Sequence, residues 1–162
     1  MKQDRFLIGI VIGIVLLMLA AVGLFFMRQS AEGYVADDTP EGVIYNYVYA
    51  VQQEDYERAY SYLADRAGKP SMIEFNSNFL SYSYYDRNIG VTLQDTQIIV
   101  EDGRPYEAFV DLVVIHVNPG PFRESYHSPD TARLIYQEGQ WKITLMPHPF
   151  WNWNWYEDGV DF

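Results

Sequence analysis

The chain has no cysteine. That absence removes disulfides, thiolate nucleophiles, cysteine-ligated clusters and covalent haem attachment together, and also the lipid-bearing cysteine of a lipoprotein. Basic residues are scarce, 11 Lys+Arg against 22 Asp+Glu, for a formal net charge of −11. Lys2, Arg5, Arg28 and Asp4 stand before position 29, so residues 29–162 carry 21 acidic and 8 basic side chains. A domain of that charge is repelled by phosphate backbones and anionic head groups, which excludes nucleic acid as a partner. The three histidines, His116, His127 and His148, show no i,i+2 or i,i+4 spacing, so no metal site is expected. There is no GxSxG, no phosphate-cradling glycine loop, no dinucleotide fingerprint and no calcium loop. Acidic pairs such as Asp37-Asp38, Glu54-Asp55 and Glu101-Asp102 sit where caps and turns are expected, and solvated carboxylates are ordinary there. No catalytic residue, cofactor or metal is therefore expected.

Long apolar runs are absent too, with one exception. Phe6 to Phe26, FLIGIVIGIVLLMLAAVGLFF, holds 21 residues without a charge. As a helix it spans roughly 32 Å, enough to cross a hydrocarbon core of about 30 Å. Only a helix satisfies its backbone in lipid. The run is longer than a signal-peptide core, and Met27 to Ala31 shows no clear small-x-small cleavage pattern, so an uncleaved signal anchor over residues 1–28 is expected. Lys2, Arg5 and the amino terminus before it, against Arg28 after it, put the N-terminus inside and the remainder on the extracytoplasmic side of the cytoplasmic membrane. Gly9 and Gly13 form a GxxxG step, with Ala21 on roughly the same face, which offers a packing surface to another membrane helix.

Residues 29–38 read as a polar tether. Thr39 and Pro40 then signal a helix start, with Val43, Ile44, Tyr47, Val48 and Val51 at helical spacing. Asp55 caps a second helix from Tyr56 to about Ala64, with Ala59, Tyr60 and Leu63 inward. Ser71 and Glu74 have capping-box spacing, opening a third helix with Met72, Phe75, Phe79 and Tyr82 on one face. From about residue 85 the pattern turns to strands: Ile89, Val91 and Leu93 alternate, and Gln97 to Glu101 is a separate run. Asp102-Gly103 is a turn leading into Tyr106 to Val117, apolar on both faces as a central strand is. Tyr126 begins at most a short edge segment, because Pro129 limits pairing. Thr131 to Gln137 and Trp141 to Met146 form a closing hairpin. The class is α+β: about three helices packed on one face of an antiparallel sheet.

Thr39–Asp65, TPEGVIYNYVYAVQQEDYERAYSYLAD, resembles the opening helices of the nuclear transport factor 2-like superfamily, through Asp55, Tyr56, Ala59 and Tyr60. Ala132–Leu145, with Trp141-Lys142-Ile143, resembles its last two strands. The resemblance covers roughly residues 39–146 and implies a cone-shaped domain on a curved sheet. It says little about function, since that fold hosts isomerases, dehydratases, ligand binders and interaction modules. In its enzymes an Asp and often a His or Tyr enter the cone. Asp111, His116 and Tyr106 stand on the strand that could supply them, but Asp111 and His116 are five residues apart and face opposite sides of a regular strand.

The tail of residues 147–162 alternates Trp151, Asn152, Trp153, Asn154 and Trp155. Extended, it puts all three indoles on one side. It either folds onto its own domain or, with Trp151, Trp153, Trp155, Tyr156 and Phe162, binds a partner. The function expected is a non-catalytic, single-pass accessory subunit of a larger bacterial membrane complex, such as a respiratory or photosynthetic electron-transfer complex. Its partners are the other subunits and the bilayer. The alternatives are a tethered small-ligand-binding module and a cone-pocket isomerase or dehydratase.

Overall fold

In the computed structural model the described residues are 10–18, 33–80, 89–117 and 125–156. The chain divides into two compact units, Met1–Gly33 and Tyr34–Phe162. In the first, residues 10–18 are helical. Among the described residues no helix is long and apolar enough to cross a membrane. The rest of the expected span, residues 6–9 and 19–26, lies outside them, as do Gly9 and Ala21. At Gly13 an added Cβ would meet nothing within 4 Å. The large side chains of this helix, from Ile10 to Met18, are exposed all round, Leu17 at 72%.

The second unit opens earlier than the composition suggests. Val35 donates its N–H to the Asn46 side-chain oxygen and accepts from the Asn46 amide nitrogen, both at 2.8 Å. Asn46 is fully buried, so this pair of bonds satisfies its amide while pinning the incoming segment. A Cβ on Gly42 would run into the Ala36 carbonyl oxygen, which shows how closely that segment lies on the first helix. Residues 34–37 thus belong to the domain and not to the tether.

Helix α1 (Pro40–Gln52) is capped by the Thr39 hydroxyl, which accepts from the Gly42 N–H at 3.2 Å. It buries Val43, Ile44, Tyr47, Val48 and Ala50. Helix α2 (Tyr56–Ser61) is capped by Asp55 and ends three residues before the expected Ala64, because the chain after it pairs with the sheet. Helix α3 (Met72–Leu80) carries the expected capping box, Ser71 N–H to Glu74 Oε2 at 2.8 Å and Glu74 N–H to Ser71 Oγ at 3.3 Å. Phe75 and Phe79 are its buried residues; Tyr82 lies outside the described residues.

Strands β1 (Ile89–Glu101), β2 (Arg104–His116), β3 (Tyr126–Gln137) and β4 (Gln140–Leu145) form an antiparallel sheet in that order. Asp102-Gly103 and Glu138-Gly139 join their hairpins with positive φ at both central residues, the two-residue geometry that matches strand twist. β1 is one strand, not two. Leu93 faces Leu112 and Thr96 faces Val110, so the polar pair Gln94-Asp95 occupies a bulge that interrupts the alternation without breaking the ladder. β3 likewise runs through Pro129, opposite Val113. β4 pairs only with Arg133 to Gln137 and does not reach the first half of β3, which is therefore an edge, where a missing N–H is tolerated. A second bulge sets Thr144 apart on β4. The residue is 3% exposed, and its hydroxyl donates to the Arg133 carbonyl at 3.2 Å.

The core lies on one face of this sheet. Ala108, Val110, Leu112 and Val114 of β2, Ala132 and Leu134 of β3, and Ile143 of β4 meet the apolar faces of the helices. The segment after α2 adds a parallel bridge, Leu63 to Ile143, so the N–H of Ile143 donates to Tyr62 and that of Ala64 to Ile143. Among the described residues this is an α+β domain with three helices before a four-stranded sheet.

Candidate functional site

The tryptophan tail folds onto its own domain. Phe150, Trp151, Trp155 and Tyr156 are 1–8% exposed, whereas Trp153 is 64% exposed. The cause is Asn152, whose side-chain oxygen accepts the Asn154 N–H at 3.1 Å while its carbonyl accepts the Trp155 N–H at 3.1 Å. Asparagine readily closes such a local turn, and the turn breaks the extended alternation that would have aligned the indoles. Trp155 is thereby brought back to stack on Phe75 (5.3 Å between centroids) and to meet Phe79 and Trp151 at 6.2 and 5.0 Å. The Tyr47 hydroxyl donates to the Phe150 carbonyl at 2.7 Å. The Tyr156 hydroxyl donates to the Ala64 carbonyl at 2.6 Å, and burial raises its pKa well above the usual phenol value. Trp151, Trp155 and Tyr156 are therefore core residues, out of a partner's reach. Trp153 is the indole on offer, and Phe162 lies outside the described residues.

The acid–base candidates do not converge. Asp111 is exposed on the outer face of β2, where it accepts the hydroxyl of Thr131 directly opposite at 2.8 Å. His116 shares the parity of the core residues and lies at the end of the strand, its ring 5.9 Å from that of Tyr126. Tyr106 is exposed beside the Asp102-Gly103 turn. Among the described residues the core holds no carboxylate, imidazole or basic side chain; its polar members besides tyrosine are Asn46 and Thr144. No group of three potential metal ligands occurs among the described residues.

A cleft of about 310 Å³ lies between α1, α2 and β4. Val43, Tyr62 and Trp141, all buried, form its floor, and Asp37, Arg58, Ser61, Gln140 and Lys142 its rim. Lys142 Nζ donates to the Ser61 carbonyl at 2.8 Å. Arg58 Nε donates to the Tyr62 hydroxyl at 3.3 Å, and the guanidinium lies over the Tyr34 ring, 3.3 Å from its centroid. The Arg58 guanidinium, like any arginine's, is permanently charged, and the bond to Tyr62 raises its pKa further. Burial, followed by the hydrogen bond from its hydroxyl to Asp55 Oδ2 at 2.8 Å, pushes Tyr34 up to about 12. Nothing in the sequence signals that Arg58 and Lys142 meet, since a lone Arg and a lone Lys far apart in the chain look like surface charges.

No protein-family model matches this chain, and no curated protein matches it. Among solved structures, it is similar to a SEC-C motif containing protein from Rhodopseudomonas palustris, at 11% identity and a TM-score of 0.47, over 67% of this chain and 77% of that one. It is similar to an NTF-2 like protein from Shewanella oneidensis, at 11% identity and a TM-score of 0.44, over 63% of this chain and 88% of that one. A candidate scytalone dehydratase from Novosphingobium aromaticivorans stands at 16% identity and a TM-score of 0.44, over 76% of this chain and 83% of that one.

Proposed function

We propose that this chain is a non-catalytic accessory subunit of a membrane complex, anchored by one N-terminal helix with its acidic domain on the extracytoplasmic side. The observation that carries the reading is the uncharged run from Phe6 to Phe26, whose described part is a helix with apolar side chains exposed on every side. A helix apolar all round needs an apolar medium, either lipid or other helices. Gly13, with open space around it, suits close approach by a neighbour. The packed interior favours a structural role, since general acid–base chemistry needs a titratable group inside a pocket and the described core holds none but tyrosine. Trp153 supplies an exposed aromatic anchor of the kind enriched at interface hot spots.

The test is purification of the tagged full-length chain from its native membrane in mild detergent, followed by native mass measurement. A stoichiometric complex is expected, weakened by Gly9→Leu/Gly13→Leu and by Trp153→Ala. A lone monomer extracted by carbonate, without detergent, would remove both the anchor and the subunit role.

A further inference from the structure

We propose that the cleft between α1, α2 and β4 binds a small zwitterion, with Arg58 and Lys142 holding its oxyanion and Asp37 its ammonium. In a domain with so few cations, two of them share one cleft of about 310 Å³, a size in the range of ligand pockets. Both are held in place by hydrogen bonds to neutral neighbours. Lys142 gives one of its three N–H groups to the Ser61 carbonyl, a neutral acceptor. Arg58 uses Nε on the neutral Tyr62 hydroxyl, leaving the four N–H groups of its terminal nitrogens. Neither cation makes a salt bridge among the described residues, although Asp55 lies close to Arg58 and Asp65, itself paired with Lys69, acts on Lys142. The Asp55 carboxylate is already engaged, by the Tyr34 hydroxyl on one oxygen and the Arg58 backbone N–H on the other.

The third charge decides the ligand class. Asp37 lines the same cleft on the segment that Asn46 pins, and no described side chain bonds to it. A plain anion would meet that carboxylate as a like charge, and a plain cation would meet Arg58 and Lys142. A molecule carrying both signs satisfies all three. The apolar floor of Val43, Tyr62 and Trp141 suits the short methylene bridge between its ends. Two sources share this chemistry, a phosphoethanolamine lipid head group and a free amino acid. Because the ligand is neutral overall, the acidity of the domain does not repel it. The site is independent of whether the chain sits in a complex.

The experiment is calorimetric titration of the full-length chain in a nonionic detergent with four probes: glycerophosphoethanolamine, glycine, glycerophosphate and ethanolamine. Saturable binding is expected for one of the two zwitterions, and which one identifies the source. Each probe with charge of one sign only, the doubly ionised glycerophosphate included, should bind at least about tenfold more weakly, the loss of roughly one charge-assisted contact. Arg58→Gln/Lys142→Gln should abolish zwitterion binding. Asp37→Asn should weaken it about tenfold while glycerophosphate binding rises. All three side chains are on the cleft rim, and an unchanged near-ultraviolet circular dichroism spectrum will show that the variants fold. Absence of saturable zwitterion binding, equal affinity for glycerophosphate, or affinity unchanged by the substitutions would each overturn the proposal.

Discussion

Gly68 shows how one residue without a side chain determines where the tail goes. Its φ is +79°, and a Cβ there would meet the Tyr156 backbone, with Cα at 2.6 Å. Its carbonyl accepts the Tyr156 N–H at 2.9 Å. Gly68→Ala pays for the left-handed backbone, about 1–3 kcal/mol, and must also push the tail outward. The urea midpoint of the full chain in detergent should fall accordingly, with tryptophan emission shifted to the red. A variant with wild-type midpoint and emission would show that the two backbones do not touch. The Gly68 turn itself is readable, because Arg66-Ala67-Gly68-Lys69-Pro70 punctuates the helices. Its partner Tyr156 is not, since nothing in either local segment encodes the other.

At the scale of the element, helix starts were the most legible part of the chain. Thr39, Asp55 and Ser71 each cap as expected, because a cap and its partner N–H lie within three residues and form without tertiary help. The Ser71 backbone and side-chain hydrogen bonds lower the Glu74 pKa below its usual 4.5. Glu74 therefore contributes stability that is fully present above its unfolded pKa and lost as the pH falls through the lower folded value. Glu74→Gln keeps an acceptor for the Ser71 N–H but cannot titrate. Its urea midpoint should fall less than that of the parent chain between about pH 5 and 3, and parallel curves would exclude the carboxylate's role. Strand boundaries were less legible. The bulge at Gln94-Asp95 made one strand look like two, and Pro129 looked like a terminator because the short reach of β4 cannot be read from β3.

For the whole molecule, the tail is part of the fold. Phe150, Trp151, Trp155 and Tyr156 bury four aromatic side chains, worth roughly 6–12 kcal/mol of apolar transfer. That is comparable with the roughly 5–15 kcal/mol total stability of a domain. A chain ending at Met146 should therefore lose its near-ultraviolet circular dichroism and become protease-sensitive, whereas Trp153→Ala, at an exposed position, should shift stability by no more than about 0.5 kcal/mol. A folded, protease-resistant truncation would refute the packing of the tail. The sequence by itself determined the α+β class, the caps and the glycine-bearing hairpin turns, because each follows from periodicity or from bonds spanning a few residues. It also marked the apolar run from Phe6 to Phe26. Only the tertiary structure decided which tryptophans are core, where the domain begins at Tyr34, and that Asp37, Arg58 and Lys142 share a cleft. The reason is the same in each case: these pairings join residues remote in the chain, and burial and mutual distance belong to the packed molecule, not to any local stretch of it.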